Sequence, residues 1–191
     1  MGKGRIEAFS DGVIAVIITI MVLELKAPHE PTPQALLELY PVFLSYVLSF
    51  INIGIYWNNH HHLFQAVKHI NGKILWANLH LLFWLSLIPF MTGWMGENNF
   101  ATWPVVLFGV NLLLAGAAYT ILTYKILELH GKNSEIAKAI GTDTKGKLSI
   151  IIYAAGIALA FFNPWISVAL YFVVAMIWFI PDRRIERIIE P

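Results

Sequence analysis

The length of the apolar runs is the strongest constraint on how this chain folds. Residues 5–26, RIEAFSDGVIAVIITIMVLELK, are almost continuously apolar, and a bilayer core of roughly 30 Å is crossed by about 20 helical residues. The 191-residue chain is 58% hydrophobic and 13% charged, whereas soluble proteins are about 25% charged. These features exclude a soluble domain and predict an all-α, polytopic membrane protein.

Six apolar segments are predicted as membrane spans, of which the last two are short. Proline-rich APHEPTP ends the first, Asn163-Pro164 separates the last two, and a polar stretch from Leu129 to Lys147 forms the one sizeable loop. We therefore predict a single six-helix transmembrane domain over residues 1–191. Its spans are about 6–25, 38–60, 74–95, 103–127, 148–162 and 165–180.

The positions of lysine and arginine predict the orientation of these spans. If the amino terminus is cytoplasmic, all of the 13 Lys and Arg residues except Lys26 lie in segments on the cytoplasmic side, as the positive-inside rule requires. Both termini are then cytoplasmic, which needs an even number of spans. Six spans satisfy this condition.

Several polar residues share one depth near the cytoplasmic side in this topology. They are Arg5, Ser10, Asp11, Asn58, Asn59, His60, His61, His62, Asn78 and His80. A carboxylate below the headgroups costs several kcal/mol unless it is paired or hydrogen-bonded. Arg5 lies about 120° from Asp11 around one helix, so we expect imidazole or amide donors from the second or third span to reach Asp11, within one subunit or between subunits.

The histidine triplet His60-His61-His62 resembles a metal site at first sight. Adjacent helical positions diverge by about 100°, and no acidic residue stands four positions on to complete a ligand set. We expect no metal and no cofactor. The H-E-x-x-H and G-x-S-x-G motifs are absent, so we expect no enzyme, and the formal charge of +1 gives no reason to expect a nucleic-acid partner.

The first span carries a stripe of four residues at helical spacing. Val16, Thr19, Ile20 and Leu23 recur at i, i+3, i+4 and i+7 and therefore share one face. Beyond Gly12 this helix is apolar on every side and rich in β-branched residues, so it should be straight and stiff. Periodicity alone does not distinguish a lipid face, a packing face and the wall of a pore.

Two short motifs resemble those of a known family. R-x-x-x-F-S-D, here Arg5, Phe9, Ser10 and Asp11, begins the first span and continues as S-D-G-V-x-A. The second span ends in W-x-x-H-H-x-L-F, whose aromatic and imidazole members include Trp57, His60 and His61. Together with the length and the six-span layout, these residues resemble the bacterial, single-repeat form of the transmembrane protein 175 family of potassium channels.

The resemblance implies a homotetramer in which the first helix of each subunit lines a central pore. The R-x-x-x-F-S-D residues would hold that helix through tryptophan and histidine of the second helix. Val16 would stand at the apolar constriction, where the family has isoleucine or leucine, with Thr19 as a hydroxyl layer and Ile20 and Leu23 as further apolar rings. The permeant ions would be K+ and other monovalent cations, and the site of residence a prokaryotic plasma membrane, in contact with its lipid.

Selectivity in such a pore has to arise without a carbonyl-lined filter, because the sequence contains no T-V-G-Y-G loop. Narrow apolar rings gate by dewetting, and a ring of threonine hydroxyls replaces some of the water that a cation loses. Potassium gives up its hydration more readily than sodium, so we expect a modest preference for K+. Asp11 would then anchor the helix and would not bind the permeant ion.

A proton- or cation-coupled transporter is the alternative from another class, with Asp11 and His60 or His61 as a titrating relay. Transporters of this kind usually pair broken helices in two internal repeats. Pro89 interrupts the third span, but no matching break or repeat occurs elsewhere in the sequence. A purely structural or assembly role is also compatible with the sequence.

Overall fold

The computed structural model describes residues 2–131, 134, 136–137 and 144–179. These residues contain helices and no strand, so the predicted all-α class is confirmed. The helices are α1 (Lys3–Leu23), α2 (Pro33–Glu38), α3 (Tyr40–Ala66), α4 (Gly72–Ser86), α5 (Ile88–Glu97), α6 (Thr102–His130), α7 (Thr144–Leu159) and α8 (Pro164–Phe179).

Four helical segments of the described chain are long and apolar enough to cross a membrane. They are α1, α3, the combined α4–α5 segment Gly72–Glu97, and α6, and they coincide with the first four predicted spans. Helix α3 continues past the predicted end at residue 60 to Ala66. Helices α7 and α8 coincide with the last two predicted spans but contain only 16 residues each.

The third predicted span is divided into α4 and α5 close to Pro89. Proline has no N–H to donate to the carbonyl four residues earlier, so the helical hydrogen-bond pattern is interrupted around Leu87. The Leu87 N–H bonds the Trp84 carbonyl at 3.3 Å, and Nδ2 of Asn111 in α6 donates to the same carbonyl at 3.1 Å. The break is thus stabilised by a neighbouring helix, as is usual at membrane depth.

Helix α1 lies in a groove formed by α3, α4 and α5. Its buried residues Ile6, Ile14, Ile17 and Met21 follow helical spacing and face that groove. These side chains occupy one side of α1. Residues on the opposite side, such as Val16 and Leu23, are exposed in the described protomer.

Close packing joins α6, α7 and α8 on the far side of the protomer. The fully buried Tyr171 of α8 donates a hydrogen bond to the Val105 carbonyl of α6 at 3.3 Å. Its ring lies over Gly109 of α6 and Gly156 of α7, where an added Cβ would come within 2.0 Å and 2.7 Å of tyrosine atoms. These glycines leave the space that the tyrosine ring fills.

Candidate functional site

Ser10 and Asp11 attach α1 to two different helices. Consecutive residues of a helix diverge by about 100°, so the two side chains leave α1 in different directions. Ser10 is fully buried and contacts Asn78 of α4, whereas Asp11 contacts Trp57 of α3. The rotation of α1 about its own axis is therefore determined by two neighbouring residues.

The Ser10 side of α1 belongs to a buried chain of hydrogen bonds. The Ser10 hydroxyl donates to the Ile6 carbonyl at 2.8 Å, and Nδ2 of Asn78 donates to the Ser10 hydroxyl at 2.9 Å. The Oδ1 atom of Asn78 then faces Nε2 of His60 at 2.8 Å, so Nε2 of this imidazole carries a proton and donates. Ser10, Asn78 and His60 are 0%, 1% and 2% exposed, and this chain links α1, α3 and α4.

On the Asp11 side of α1 a second, more exposed series of side-chain contacts runs along α3. Nε1 of Trp57 donates to Oδ1 of Asp11 at 3.0 Å. The donor is therefore a tryptophan of the second span, as the family resemblance implies, and not the imidazole or amide expected from polarity and depth. The Trp57 ring stacks on the His61 ring with 6.0 Å between centroids. Nε2 of His61 in turn lies 2.7 Å from the Gln65 amide nitrogen.

The other two motif residues lie on the open side of α1. Phe9 is exposed, and the Arg5 guanidinium makes neither a hydrogen bond nor an ion pair with any residue that the structure describes. Lys3 contacts α3 instead, donating from Nζ to the Gln65 carbonyl at 2.9 Å. One protomer thus brings together Ser10, Asp11, Trp57 and His60. Within the residues that the structure describes, the side chains of Arg5 and Phe9 have no hydrogen bond or ion pair.

The sequence-predicted stripe of α1 lies on the same open side. Val16 is 56% exposed, Leu23 is 71% exposed, and Thr19 and Ile20 are exposed as well. Ile17, one position beyond Val16, is only 3% exposed because it faces the groove. The four stripe residues therefore form a continuous face that nothing in the described protomer covers.

The Thr19 hydroxyl has a defined orientation on this open face. Its Oγ1 donates to the Ala15 carbonyl of the same helix at 2.9 Å. Since the single hydroxyl proton is used in that bond, the oxygen presents only lone pairs to the open side. Such an oxygen is an acceptor and is suited to contact a cation.

Asn78 is a site residue whose role the sequence did not reveal. The sequence predicts that Asn78 lies at the depth of the polar residues near the cytoplasmic side, but it does not predict a contact with Ser10 or His60. Depth follows from the position of Asn78 in its span. The direction of its side chain does not, because the helix is apolar on nearly all sides.

Comparisons with known proteins show which family contains these motif residues. A family profile described as the endosomal/lysosomal potassium channel TMEM175 matches residues 5–89, which include all of the motif residues above. A potassium channel of Chryseobacterium sp. (strain P1-3) is 56% identical over 187 residues, covering 98% of this chain and 97% of that protein. The endosomal/lysosomal proton channel TMEM175 of Gallus gallus is 38% identical over 101 residues, covering 47% of this chain and 20% of that protein.

A solved structure extends the likeness to the whole fold. The crystal structure of a lysosomal potassium-selective channel TMEM175 homolog from Chamaesiphon minutus superposes with a TM-score of 0.81 at 28% sequence identity. The match covers 94% of this chain and 97% of that chain. Full-length similarity, the profile match and the apolar helices together identify the chain as an integral membrane protein and a bacterial, single-repeat member of the TMEM175 family.

Proposed function

We propose that the chain is a potassium-permeable cation channel, in which four copies surround a central pore lined by α1 of each. Each subunit would span the plasma membrane six times with both termini in the cytoplasm. The full-length bacterial relative is named a potassium channel, and the matching solved structure is described as a potassium-selective channel homolog. These names support K+ as the permeant ion.

The observation that carries the proposal is the one-sided packing of α1. A stiff apolar helix is held in a groove by one face, while Val16, Thr19, Ile20 and Leu23 on the other face are exposed in the described protomer. A ring of such helices around a symmetry axis covers each open face and creates a passage between them. Heterologous contacts that close into a ring are a common route to homo-oligomers.

The apolar members of the open face would form the gate. Val16, Ile20 and Leu23 give three successive rings of four side chains, and a narrow apolar ring blocks ions by excluding water. Val16 lies nearest the cytoplasmic end of the three. Because valine is smaller than leucine or isoleucine, its ring leaves more space than the other two.

Thr19 would supply the polar layer between these rings. Its hydroxyl proton is committed to the Ala15 carbonyl at 2.9 Å, so four copies would present four acceptor oxygens to a cation. Four neutral oxygens compensate only part of a hydration shell. They favour the ion that loses water at lower cost, and modest selectivity for K+ over Na+ follows.

Asp11 would act as an anchor for α1 outside the ion path. Its carboxylate accepts a hydrogen bond from the Trp57 indole, whereas His60 is hydrogen-bonded to the Asn78 amide. In the described protomer no hydrogen bond joins Asp11 directly to His60 or His61, and an indole N–H does not titrate in the physiological range. This geometry gives no support to the relay that a proton-coupled transporter would need.

Purified protein in liposomes tests the proposal. A K+ gradient alone, with equal pH on both sides, should drive K+ movement that depends on the protein, with protein-free liposomes as the control. Flux that requires a proton gradient would contradict the channel and favour a coupled transporter. Because the Gallus gallus relative is named a proton channel, an internal pH dye should be read in the same assay to compare H+ with K+ movement.

A further inference from the structure

We propose that each subunit of the tetramer contacts the next through two defined stripes. The α3 stripe consists of Phe43, Phe50, Trp57 and His61, and the α4–α5 stripe consists of Leu79, Phe83, Ser86 and Phe90. The α3 stripe of one subunit would pack on the α4–α5 stripe of its neighbour. This inference rests on the proposed function, because it assumes that α1 faces a rotational axis.

The placement of α1 between α3 and α4 determines which surfaces meet. Asp11 contacts α3 through Trp57, and Ser10, about 100° away around α1, contacts α4 through Asn78. The two helices therefore lie on different sides of α1, while its third side is open. When copies are arranged around an axis on that open side, the α3 side of one copy faces the α4 side of the next.

Both stripes are exposed or half-buried in the protomer, and the α3 stripe contacts α1 through Trp57. On α3, Phe50 and Phe43 precede Trp57 by seven and fourteen positions, and His61 follows it by four, so they share the face that carries the Asp11 contact. On α4, Leu79 follows Asn78 and leads along the exposed side to Phe83 and Ser86, with Phe90 continuing the line on α5. All eight side chains are exposed or half-buried.

Hydrogen bonds between α3 and α4–α5 give the depth at which the stripes meet. His60 bonds Asn78 near one end, and the Ser49 and Thr92 hydroxyls lie 2.6 Å apart near the other. Phe50 is therefore close in depth to Phe90. Rotation about an axis along the membrane normal preserves depth, so Phe50 of one subunit should meet Phe90 of the next.

A second copy of the chain fits this surface better than lipid does. In the protomer Asp11 is exposed beside the α3 stripe and has the Trp57 indole as its donor. A carboxylate facing hydrocarbon costs several kcal/mol, and the imidazole of His61 lies on the same stripe. Covering this flank with protein removes both polar groups from lipid.

Thiol cross-linking tests the contact, because the chain has no cysteine of its own. Phe50→Cys and Phe90→Cys are placed in separate chains that carry different affinity tags, and the two chains are co-expressed. Oxidation or a short bismaleimide in membranes should yield covalent dimers that carry both tags. Because the two cysteines are in different chains, a link within one subunit is impossible.

Two controls define the contact. Each variant expressed alone should give no covalent dimer, since identical residues are apart in a heterologous contact. Phe50→Cys combined with Phe172→Cys, on the exposed face of α8, should also stay unlinked. Trp94 follows Phe90 by about one turn of α5 and stacks on its ring. Phe43→Cys with Trp94→Cys therefore provides a second pair, which should link if the first pair does not assemble.

The outcomes separate this inference from the proposed function. Absence of mixed dimers from both pairs, while native mass spectrometry shows tetramers and liposomes pass K+, would overturn the contact and leave the channel intact. Dimers from a single variant alone would also overturn it, because they indicate a two-fold contact. Failure of the unmodified chain to form tetramers or to pass K+ would instead overturn the proposed function.

Discussion

Nε1 of Trp57 donates a hydrogen bond to Oδ1 of Asp11 across 3.0 Å, which joins α3 to α1 at residues 46 positions apart in sequence. The neighbouring Ser10 is held from a different direction by Asn78 of α4 at 2.9 Å. Two contacts about 100° apart around the helix restrain the rotation of α1. The direction in which Val16 and Thr19 point therefore depends on polar contacts about one and a half to two and a half turns earlier in the helix.

Trp57→Phe should lower the yield of tetramer while leaving conduction in the remaining tetramers. The change removes the indole donor but keeps an aromatic ring against His61, and a net hydrogen bond contributes about 1 kcal/mol. Asp11→Asn should act in the same direction. Tetramer yield is measured by native mass spectrometry, with Trp76→Phe, an exposed tryptophan of α4, as the control. Normal assembly of Asp11→Asn with complete loss of flux would show that Asp11 acts in the ion path.

Asn78→Leu should reduce thermal stability more than Asn58→Leu does. Leucine has the same branching as asparagine but lacks the amide donor and acceptor, so Nε2 of His60 and the Ser10 hydroxyl each lose a buried partner. Leaving a buried polar group unsatisfied costs about 1–3 kcal/mol. The melting temperatures of the two variants in detergent give the comparison. Equal melting temperatures would contradict a structural role for the hydrogen bonds among Ser10, Asn78 and His60.

Gly109→Ala should destabilise the protomer, whereas Gly116→Ala in the same helix should be tolerated. A Cβ at residue 109 would lie 2.0 Å from the Tyr171 hydroxyl oxygen, while one at residue 116 would lie 3.7 Å from the Tyr56 hydroxyl oxygen. Overpacking of this kind costs about 1–3 kcal/mol or more. Folded yield after solubilisation measures the difference. A Gly109→Ala protein as stable as Gly116→Ala would mean that α6 and α8 pack differently.

The lengths of the apolar segments predict most of the helices, but they do not predict which face of each helix is packed. The apolar segments of α1, α3 and α6 predict membrane spans because each is long enough to cross a bilayer as a helix. Pro89 predicts the break between α4 and α5. Each of these helices is apolar on nearly all sides, so the hydrophobic pattern does not say which side is packed. That information comes from tertiary contacts.

The candidate site was predictable to a similar extent. The energetic cost of a membrane carboxylate indicated that Asp11 needs a partner, and depth limited the candidates to the end of α3 and the start of α4. The choice of Trp57 as that donor, and of Asn78 for Ser10, depends on how α1 is rotated against two helices. Rotation is a property of the packed protomer, which residue spacing within one helix does not contain.

Thr19→Ala should lower the permeability ratio of K+ to Na+ toward one, while Thr19→Ser should largely preserve it. Serine keeps a hydroxyl whose O–H can donate to the Ala15 carbonyl while its oxygen presents lone pairs to the open side. Alanine removes that hydroxyl. Reversal potentials in planar bilayers, measured with KCl on one side and NaCl on the other, give the ratio. Unchanged selectivity in Thr19→Ala would place the selective layer elsewhere.

The central claim is that the open face of α1 lines the ion path, and cysteine accessibility along this helix tests it most directly in a chain that has no cysteine. Single cysteines are introduced at Val16, Thr19, Ile20 and Leu23, and at the buried Ile14, Ile17 and Met21, and a small charged methanethiosulfonate reagent is added during K+ flux in liposomes. We expect inhibition at the four open positions and none at the three buried positions. Inhibition confined to the buried positions, or absent at all seven while K+ still flows, would contradict a pore lined by α1.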